Sequence, residues 1–593
     1  MIAKPIYTLI GVLAVLVLLG PIANATVEKK ETAQIVRSPY SLEGKAFSDR
    51  KIGDRLSGSA AARYGLIFAL QDAGDLKKAN EEIGRLKDYR LMGYVFYQRY
   101  MLKNYTATFR ELADWMRQYG DYPNADKIHA LAVMRHPAGA VLAEPKGGKG
   151  LSAYHDDDTG QPAKPYISTQ NSSPKERDIL ADIERRLSKS PTSALAKLDS
   201  APVRRLFDAT EYDAIAARIA ESFFYNGKAD RAHALAAAAA KRSGKEVPLA
   251  GWIAGLSAWR MGHYSDAAAY FERAAQSPRA SAWMIAAAAH WAARSHLRNH
   301  APQKVSHWLR VSAEYPRSFY GIISTKALGM EQTRFHWKLP DLRHRLVKAL
   351  ADVPAGRRAL ALMDAGQIPL AAEELRQIDP SDDTVLQEAM MAAAHAAGAP
   401  ALEMRLGSML KDPDGNLYDA ALYPDSPWPP EDGYEVDKSL LHALIRQESK
   451  FNVTANNKDS GAAGLMQIMP ATAKIIGNRH DIPLDAELLQ DPSTNIRLGQ
   501  KYLADLLKDS NVNGNLFKLA VAYNAGPGKL ARWEKELDYK SDALLFIESI
   551  PVAETRAFVE RVLTNYWIYR LKYGLDTDSL EKVAAGDWPF YAP

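Results

Sequence analysis

The chain contains no cysteine. That absence excludes a disulfide scaffold, a thiol nucleophile, thiolate zinc or iron–sulfur ligation, and a lipid-modified cysteine anchor. An excess of one charge is missing too: 75 Lys and Arg against 70 Asp and Glu leave +5 over 593 residues. So weak a balance is not the concentrated basic face of a nucleic-acid binder, and no nucleic-acid partner is expected. Alternating Val, Ile and Thr runs are hard to find, and no glycine-rich phosphate loop or dinucleotide fingerprint precedes a strand. No cofactor is expected. The 47% hydrophobic and 24% charged residues are those of a soluble globular protein. The length exceeds what one core supports, so about two to four domains are expected.

A single apolar run stands apart. Residues 1–25 carry Lys4 as their one charged side chain, run apolar from Ile6 to Leu19, and end with Ala23 and Ala25 in a small-x-small pattern. That core is shorter than the roughly 20 residues of a spanning helix, so it reads as a cleaved export signal. An uncleaved N-terminal anchor is the alternative, and would be the one membrane contact. Both place the rest of the chain outside the cytoplasm.

The remainder is helical by pattern, with Ala, Leu, Arg, Glu and Lys at 3–4 spacing. Two stretches interrupt it. Residues 144–175 are rich in Gly, Pro, Ser and Asp and read as a loop or linker. Their Asp156-Asp157-Asp158 run lacks the spaced ligands of a calcium loop. The second break, residues 423–435, holds four prolines that enforce an extended domain boundary.

Between the breaks lies a repeat. Gly227, Ala229, Ala232, Ala236 and Ala239 share their offsets with Gly262, Tyr264, Ala267, Phe271 and Ala274. Gly366, Ile368, Ala371, Leu375 and Ile378 repeat them, and Gly74, Leu76, Ala79, Ile83 and Leu86 do so more loosely. The 35-residue step between the first two is close to a tetratricopeptide helix pair. Glycine would end one helix and small residues would let the next pack closely, stacking the pairs into a solenoid. Trp252, Trp259, Trp283 and Trp291, at helical spacing, read as its core rather than as a sugar platform. His296 and His300 stand four apart, but no Glu follows His296 as a zinc protease requires, and no metal is expected.

Chemistry concentrates in the last 150 residues. Asp437 can cap a helix on which Leu441, Leu444, Ile445 and Glu448 share one face. A carboxylate thus ends an apolar stripe, near the negative end of the helix dipole. Both disfavour its charged form, and a carboxyl kept protonated suits general-acid cleavage of a glycosidic bond. A Glu that swings to water at a fraying helix end would fit the pattern equally well. Downstream, Ser460-Gly461-Ala462-Ala463-Gly464 leads into Leu465-Met466-Gln467, where small residues let backbone approach a ligand. Gln467 offers both a donor and an acceptor. A buried helix then ends sharply at Tyr523-Asn524-Ala525-Gly526-Pro527-Gly528. Tyr523 could hydrogen-bond a nearby carboxyl, and Asn524 a sugar amide. Tyr566, Trp567 and Tyr569 could stack on sugars, though packing is the plainer account, with about two of the three buried.

RQES around Glu448, GAAGLMQIMP at 461–470, AYNAGPG at 522–528 and ESIPVAETR at 548–556 occur in that order. Together they resemble the catalytic domain of the soluble lytic murein transglycosylases, which has a goose-type lysozyme-like fold. The resemblance spans roughly 436–574. Upstream, Tyr315-Pro316-Arg317-Ser318-Phe319-Tyr320-Gly321 is similar to segments of the family's α-superhelical region. The resemblance implies a mainly α protein: a superhelical solenoid followed by a lysozyme-like catalytic domain. The chain then divides into a signal (1–25), an N-terminal helical region (26–143), a linker (144–175) and a superhelical domain (176–422). A Pro-rich linker (423–435), the catalytic domain (436–574) and a tail (575–593) follow.

It also implies a periplasmic lyase on peptidoglycan glycan strands, with cell-wall synthesis or division proteins as further partners of the solenoid. Glu448 would protonate the oxygen between N-acetylmuramic acid and N-acetylglucosamine. It would then act as base while the muramyl 6-hydroxyl closes a 1,6-anhydro ring, replacing the second carboxylate of most glycosidases. Gln467, Met469, Tyr523 and Asn524 carry over as substrate-binding residues, Ser449 as the partner of Glu448, and Glu554 as the second acid of the groove. This sequence departs from the family in the 18 residues between Glu448 and Gln467, about one more than is usual, and in Lys458, which replaces a frequent serine beside Asn457. A lysozyme-like hydrolase, which would enlist Asp459, and a non-catalytic scaffold are the alternatives.

Overall fold

At Gly74, Gly227, Gly262 and Gly366 the backbone turns left-handed, with φ between +73° and +80°. Each glycine follows a helix end by two residues (Asp72, Tyr225, Arg260, Asp364) and precedes the next start by two (Leu76, Ala229, Tyr264, Ile368). A Cβ at Gly227, Gly262 or Gly366 would meet nothing within 4 Å, so φ rather than space selects glycine there. The residues at the later offsets are the contact surface: Ala232, Ala236, Ala239, Ala267, Phe271, Ala274, Ala371 and Leu375 are all fully buried. A fifth unit turns at Gly398, φ +60°, between helices Thr384–Ala396 and Pro400–Met409. Two of its three contact positions are Glu403 and Gly407 instead of apolar residues, only Leu410 keeping the pattern, which hid it from the repeat.

This computed structural model describes residues 55–147, 150–151, 173–330, 335–380, 383–412, 414–483 and 488–592. The signal at 1–25 and the Asp156–Asp158 run lie outside them, as does most of the 144–175 linker. Among the described residues there are 29 α-helices, only isolated β-bridges, and no helix long and apolar enough to cross a membrane. From Ala209 to Ala327 each helix packs on the next in sequence. Trp252, Trp259 and Trp291 are buried in that stack and Trp283 is half-buried, with Trp259 edge-on to Trp291 at 5.1 Å. The first helices return to the later ones. Tyr94 donates to buried Glu374 at 2.6 Å, Arg358 pairs with Asp121 at 2.8 Å, and Arg55 pairs with Asp364.

The Tyr315–Gly321 segment joins this solenoid to the C-terminal part of the chain. Ser318 caps helix Phe319–Ala327 by accepting from the Gly321 N–H, and a Cβ on Gly321 would collide with the Tyr315 carbonyl. Arg317 forks onto buried Asp419 at 2.6 and 2.8 Å. Phe319 stacks on Trp567 with centroids 5.6 Å apart, and the Tyr320 hydroxyl donates to buried Glu548 at 2.5 Å. The proline-rich segment after Leu422 is extended and strapped down. Tyr569 donates to the Pro424 carbonyl at 2.8 Å, and Lys572 reaches Tyr423 and Asp425.

In the C-terminal part, helix Ala553–Lys572 packs against Lys438–Glu448 and Leu516–Ala525. Tyr566, Trp567 and Tyr569 are all buried on it, so all three are core and none is a sugar platform.

Candidate active site

Asp437 caps helix Lys438–Glu448 through the Ser439 N–H at 2.8 Å. Leu441, Leu444 and Ile445 fill the core below, which leaves Glu448 half-buried at the end of the same face. Burial, and then the neighbouring Glu554 carboxylate, push the Glu448 carboxyl up to about 8. The causes are thus desolvation and a second acid, where the sequence had suggested desolvation and the helix dipole. The Ser449 hydroxyl donates back into its own helix, to the Ile445 carbonyl at 3.2 Å. Lys450 and Phe451 follow with φ of +51° and +60°, which turns the chain away from the helix axis.

The 461–470 loop is held from behind by Asn495, a residue on helix Pro492–Lys508 that the motif reading passed over. Its Oδ1 accepts the Met466 N–H at 2.8 Å, and its Nδ2 donates to the carbonyls of Ala463 and Leu489 at 3.0 and 2.9 Å. A Cβ on Gly464, φ +78°, would run into the Asn495 amide. Gln467 then takes φ +46°, a conformation that costs a non-glycine residue roughly 1–3 kcal/mol. Its Nε2 donates to the carbonyls of Ala455 and Gly464 at 3.1 and 2.9 Å, leaving the amide oxygen as its acceptor. Met469 is 47% exposed on the rim.

Tyr523 ends helix Leu516–Ala525 close enough to Glu448 for its carboxylate to raise the phenol further, above what burial already does. Its hydroxyl donates to the Met466 carbonyl at 2.8 Å rather than to a carboxyl group, and its ring stacks on Phe558. Asn524 beside it accepts from the buried Thr555 hydroxyl at 2.7 Å, which orients the amide. Glu554 is exposed one residue earlier, in the first turn of Ala553–Lys572. Glu448, Gln467, Tyr523, Asn524 and Glu554 thus come from four segments that these contacts and charges bring together. Asn495, Thr555 and Phe558 support them. The only sequence signal for these three was an Asn, a Thr and a Phe at core positions of helices.

Asp459 stays outside this set: it is exposed in a turn closed by its N–H on Asn457 Oδ1, with Lys458 exposed beside it. Glu548, first of the ESIPVAETR run, is buried beneath the groove against Tyr320. His296 faces Glu272 at 2.6 Å inside the solenoid, and His300 lies on its surface.

Residues 429–546 match the Transglycosylase SLT domain family. Over 158 residues the chain is 39% identical to a soluble lytic murein transglycosylase of Escherichia coli, covering 26% of this chain and 24% of that protein. It is 31% identical over 160 residues to an endo-type membrane-bound lytic murein transglycosylase A of Klebsiella pneumoniae, covering 24% of this chain and 74% of that one. The aligned part therefore spans about a quarter of the E. coli relative. The crystal structure of the 70-kDa soluble lytic transglycosylase from E. coli superposes over 90% of this chain and 99% of its own, with a TM-score of 0.55 at 20% identity. At that identity the likeness is one of fold: a superhelical region followed by a lysozyme-like domain.

Proposed function

We propose that Glu448 cleaves peptidoglycan as a general acid and then a base, for the chain belongs to the lytic murein transglycosylase family through its SLT domain. The observation that carries this reading is a half-buried carboxyl raised to about 8 at the end of an apolar helix face. At neutral pH it holds a proton and can give it to the glycosidic oxygen between N-acetylmuramic acid and N-acetylglucosamine. The anomeric C1–O bond breaks, and the carboxylate left behind accepts the proton of the muramyl 6-hydroxyl as that oxygen bonds to C1. One bond breaks, one forms, and no water is consumed. The nucleophile is tethered to the reacting sugar, which removes much of the entropic barrier.

The other residues position the strand. Thr555 holds the Asn524 oxygen, so the Asn524 N–H2 group faces outward to an acetamido carbonyl or hydroxyl. Gln467 presents its free amide oxygen, Met469 offers an apolar rim contact, and Tyr523 fixes the loop through Met466. Ser449 steadies the end of the Glu448 helix. Glu554 sets the charge around Glu448. In this reading residues 436–574 carry the reaction, the solenoid guides glycan strands or docks wall-building proteins, and the protein works in the periplasm, where its substrate lies.

Digestion of purified sacculi followed by mass spectrometry tests it. Anhydro-muropeptides are expected from the wild type, with a loss of about 10³-fold or more in Glu448→Gln. Reducing-end products would identify a hydrolase instead, and no products would identify a scaffold.

A further inference from the structure

A cleft of about 660 Å3 opens on the solenoid, away from the Glu448 groove. It is bounded by helices Ala282–Arg298 and Val305–Ala313, by the 540–542 turn of the catalytic region, and by the last helix, Asp578–Ala585. Trp259, Leu297, Val305 and Leu309 make an apolar side, and Arg294, Arg298 and Lys540 bring positive charge. Asp542 is the one carboxylate in the lining, and it is already engaged. It accepts the N–H groups of Leu544 and Leu545, both at 3.1 Å, and pairs with Arg294 at 2.8 Å.

Three independent features mark the cleft as more than a packing gap. Arg294 lies against the rings of Trp259 and Trp291, at 4.8 and 4.5 Å, yet its buried Nη1 has no acceptor among the described residues. That atom is closed off from the cleft, so Arg294 acts there only as a cation fixed in place by Asp542 and the two rings. Arg298 stands one turn further along the same helix face, exposed and in no ion pair among the described residues. Finally, of the eight non-glycine residues with positive φ among the described residues, three line this cleft: His300 at +55°, Lys540 at +49° and Ser541 at +60°. Backbone held in that region gathers at ligand sites.

We propose that the cleft binds a short peptide with free carboxylates. Arg298 offers the planar fork that matches a carboxylate, and Lys540, paired at the surface with Asp538 at 3.1 Å, adds a second cation. The Trp259 and Leu297 side takes up an apolar backbone or methyl group, which a bare inorganic anion would leave uncovered, and the volume suits a ligand of several residues. The stem peptides carried on muramyl sugars have this chemistry. In naming them the proposal rests on the peptidoglycan reading above.

The test is calorimetric titration of the full chain with a free stem tetrapeptide, which has no glycosidic bond to cleave. Saturable one-site binding is expected, weakened at least tenfold by Arg298→Glu and, separately, by Lys540→Glu. Both side chains are exposed, so neither change threatens the fold. No binding, or equal affinity in all three proteins, overturns the proposal. Inorganic phosphate is titrated in parallel, and phosphate bound as tightly as the peptide overturns the peptide assignment. Sacculus digestion by the same wild-type preparation separates the two readings. Anhydro products without peptide binding sink the cleft alone. Peptide binding without products sinks the reaction and leaves the cleft standing.

Discussion

The solenoid and the Glu448 groove solve the same backbone problem with opposite chemistry. In the solenoid the chain turns left-handed at Gly74, Gly227, Gly262, Gly366 and Gly398, where glycine makes the turn without strain. Around the groove it turns left-handed at Gly461 and Gly464 too, but also at Lys450, Phe451 and Gln467, where it is strained. A repeating scaffold needs only the turn. A site needs the turn and a side chain at the same position, so it accepts the strain and offsets it with hydrogen bonds such as those of Asn495 and Gln467.

The sharpest way to break this contrast is a pair of alanines. Gly464→Ala places a Cβ against Asn495 at φ +78° and is expected to cost several kcal/mol, about 3 or more, while collapsing the loop and the activity with it. Gly227→Ala, at φ +73° in open space, is expected to cost only about 1–2 kcal/mol and to leave turnover intact. Urea unfolding and sacculus digestion on the two variants decide it. Equal effects would show that the groove turn is no more constrained than the solenoid turn.

Smaller changes sharpen the picture of the groove. Thr555→Val removes the donor that orients Asn524, and kcat/KM is expected to fall about tenfold with the thermal midpoint little changed. Glu554→Gln acts through charge. In the proposed reaction Glu448 gives a proton only while protonated, so activity is expected below about pH 8 and to be lost as pH rises through it. Removing the Glu554 carboxylate lowers the Glu448 pKa, so that alkaline limb moves to lower pH. A limb that stays put would show that burial alone sets it. The smallest effect is expected for Gln467→Gly. Relief of φ +46° is offset by loss of the two Nε2 hydrogen bonds, so stability changes by less than about 1 kcal/mol while substrate binding weakens.

Much of this was legible in order along the chain. The glycine offsets marked helix junctions because one junction geometry recurs, and the Asp437 cap with the Leu441–Glu448 stripe foretold both the helix and a raised carboxyl. Other features were not legible. The Gly398 unit escaped because Glu403 and Gly407 occupy two of its three contact positions. The Tyr523 hydroxyl goes to a backbone carbonyl, a partner that carries no residue-type signal. Tyr566, Trp567 and Tyr569 are all buried because Phe319 and the Pro424 strap cover both sides of their helix, and neither neighbour is near in sequence.

The sequence by itself determined the class of the fold and the places where helices end, and its motifs singled out Glu448 as the candidate acid. These depend on local backbone preference and on periodicity within one helix. Tertiary structure alone decided which acid faces which, what holds the Gln467 loop, and how Tyr320 of the solenoid comes to lie under the groove against Glu548. Those outcomes depend on distance in space between segments up to 228 residues apart, and on the desolvation that only packing produces.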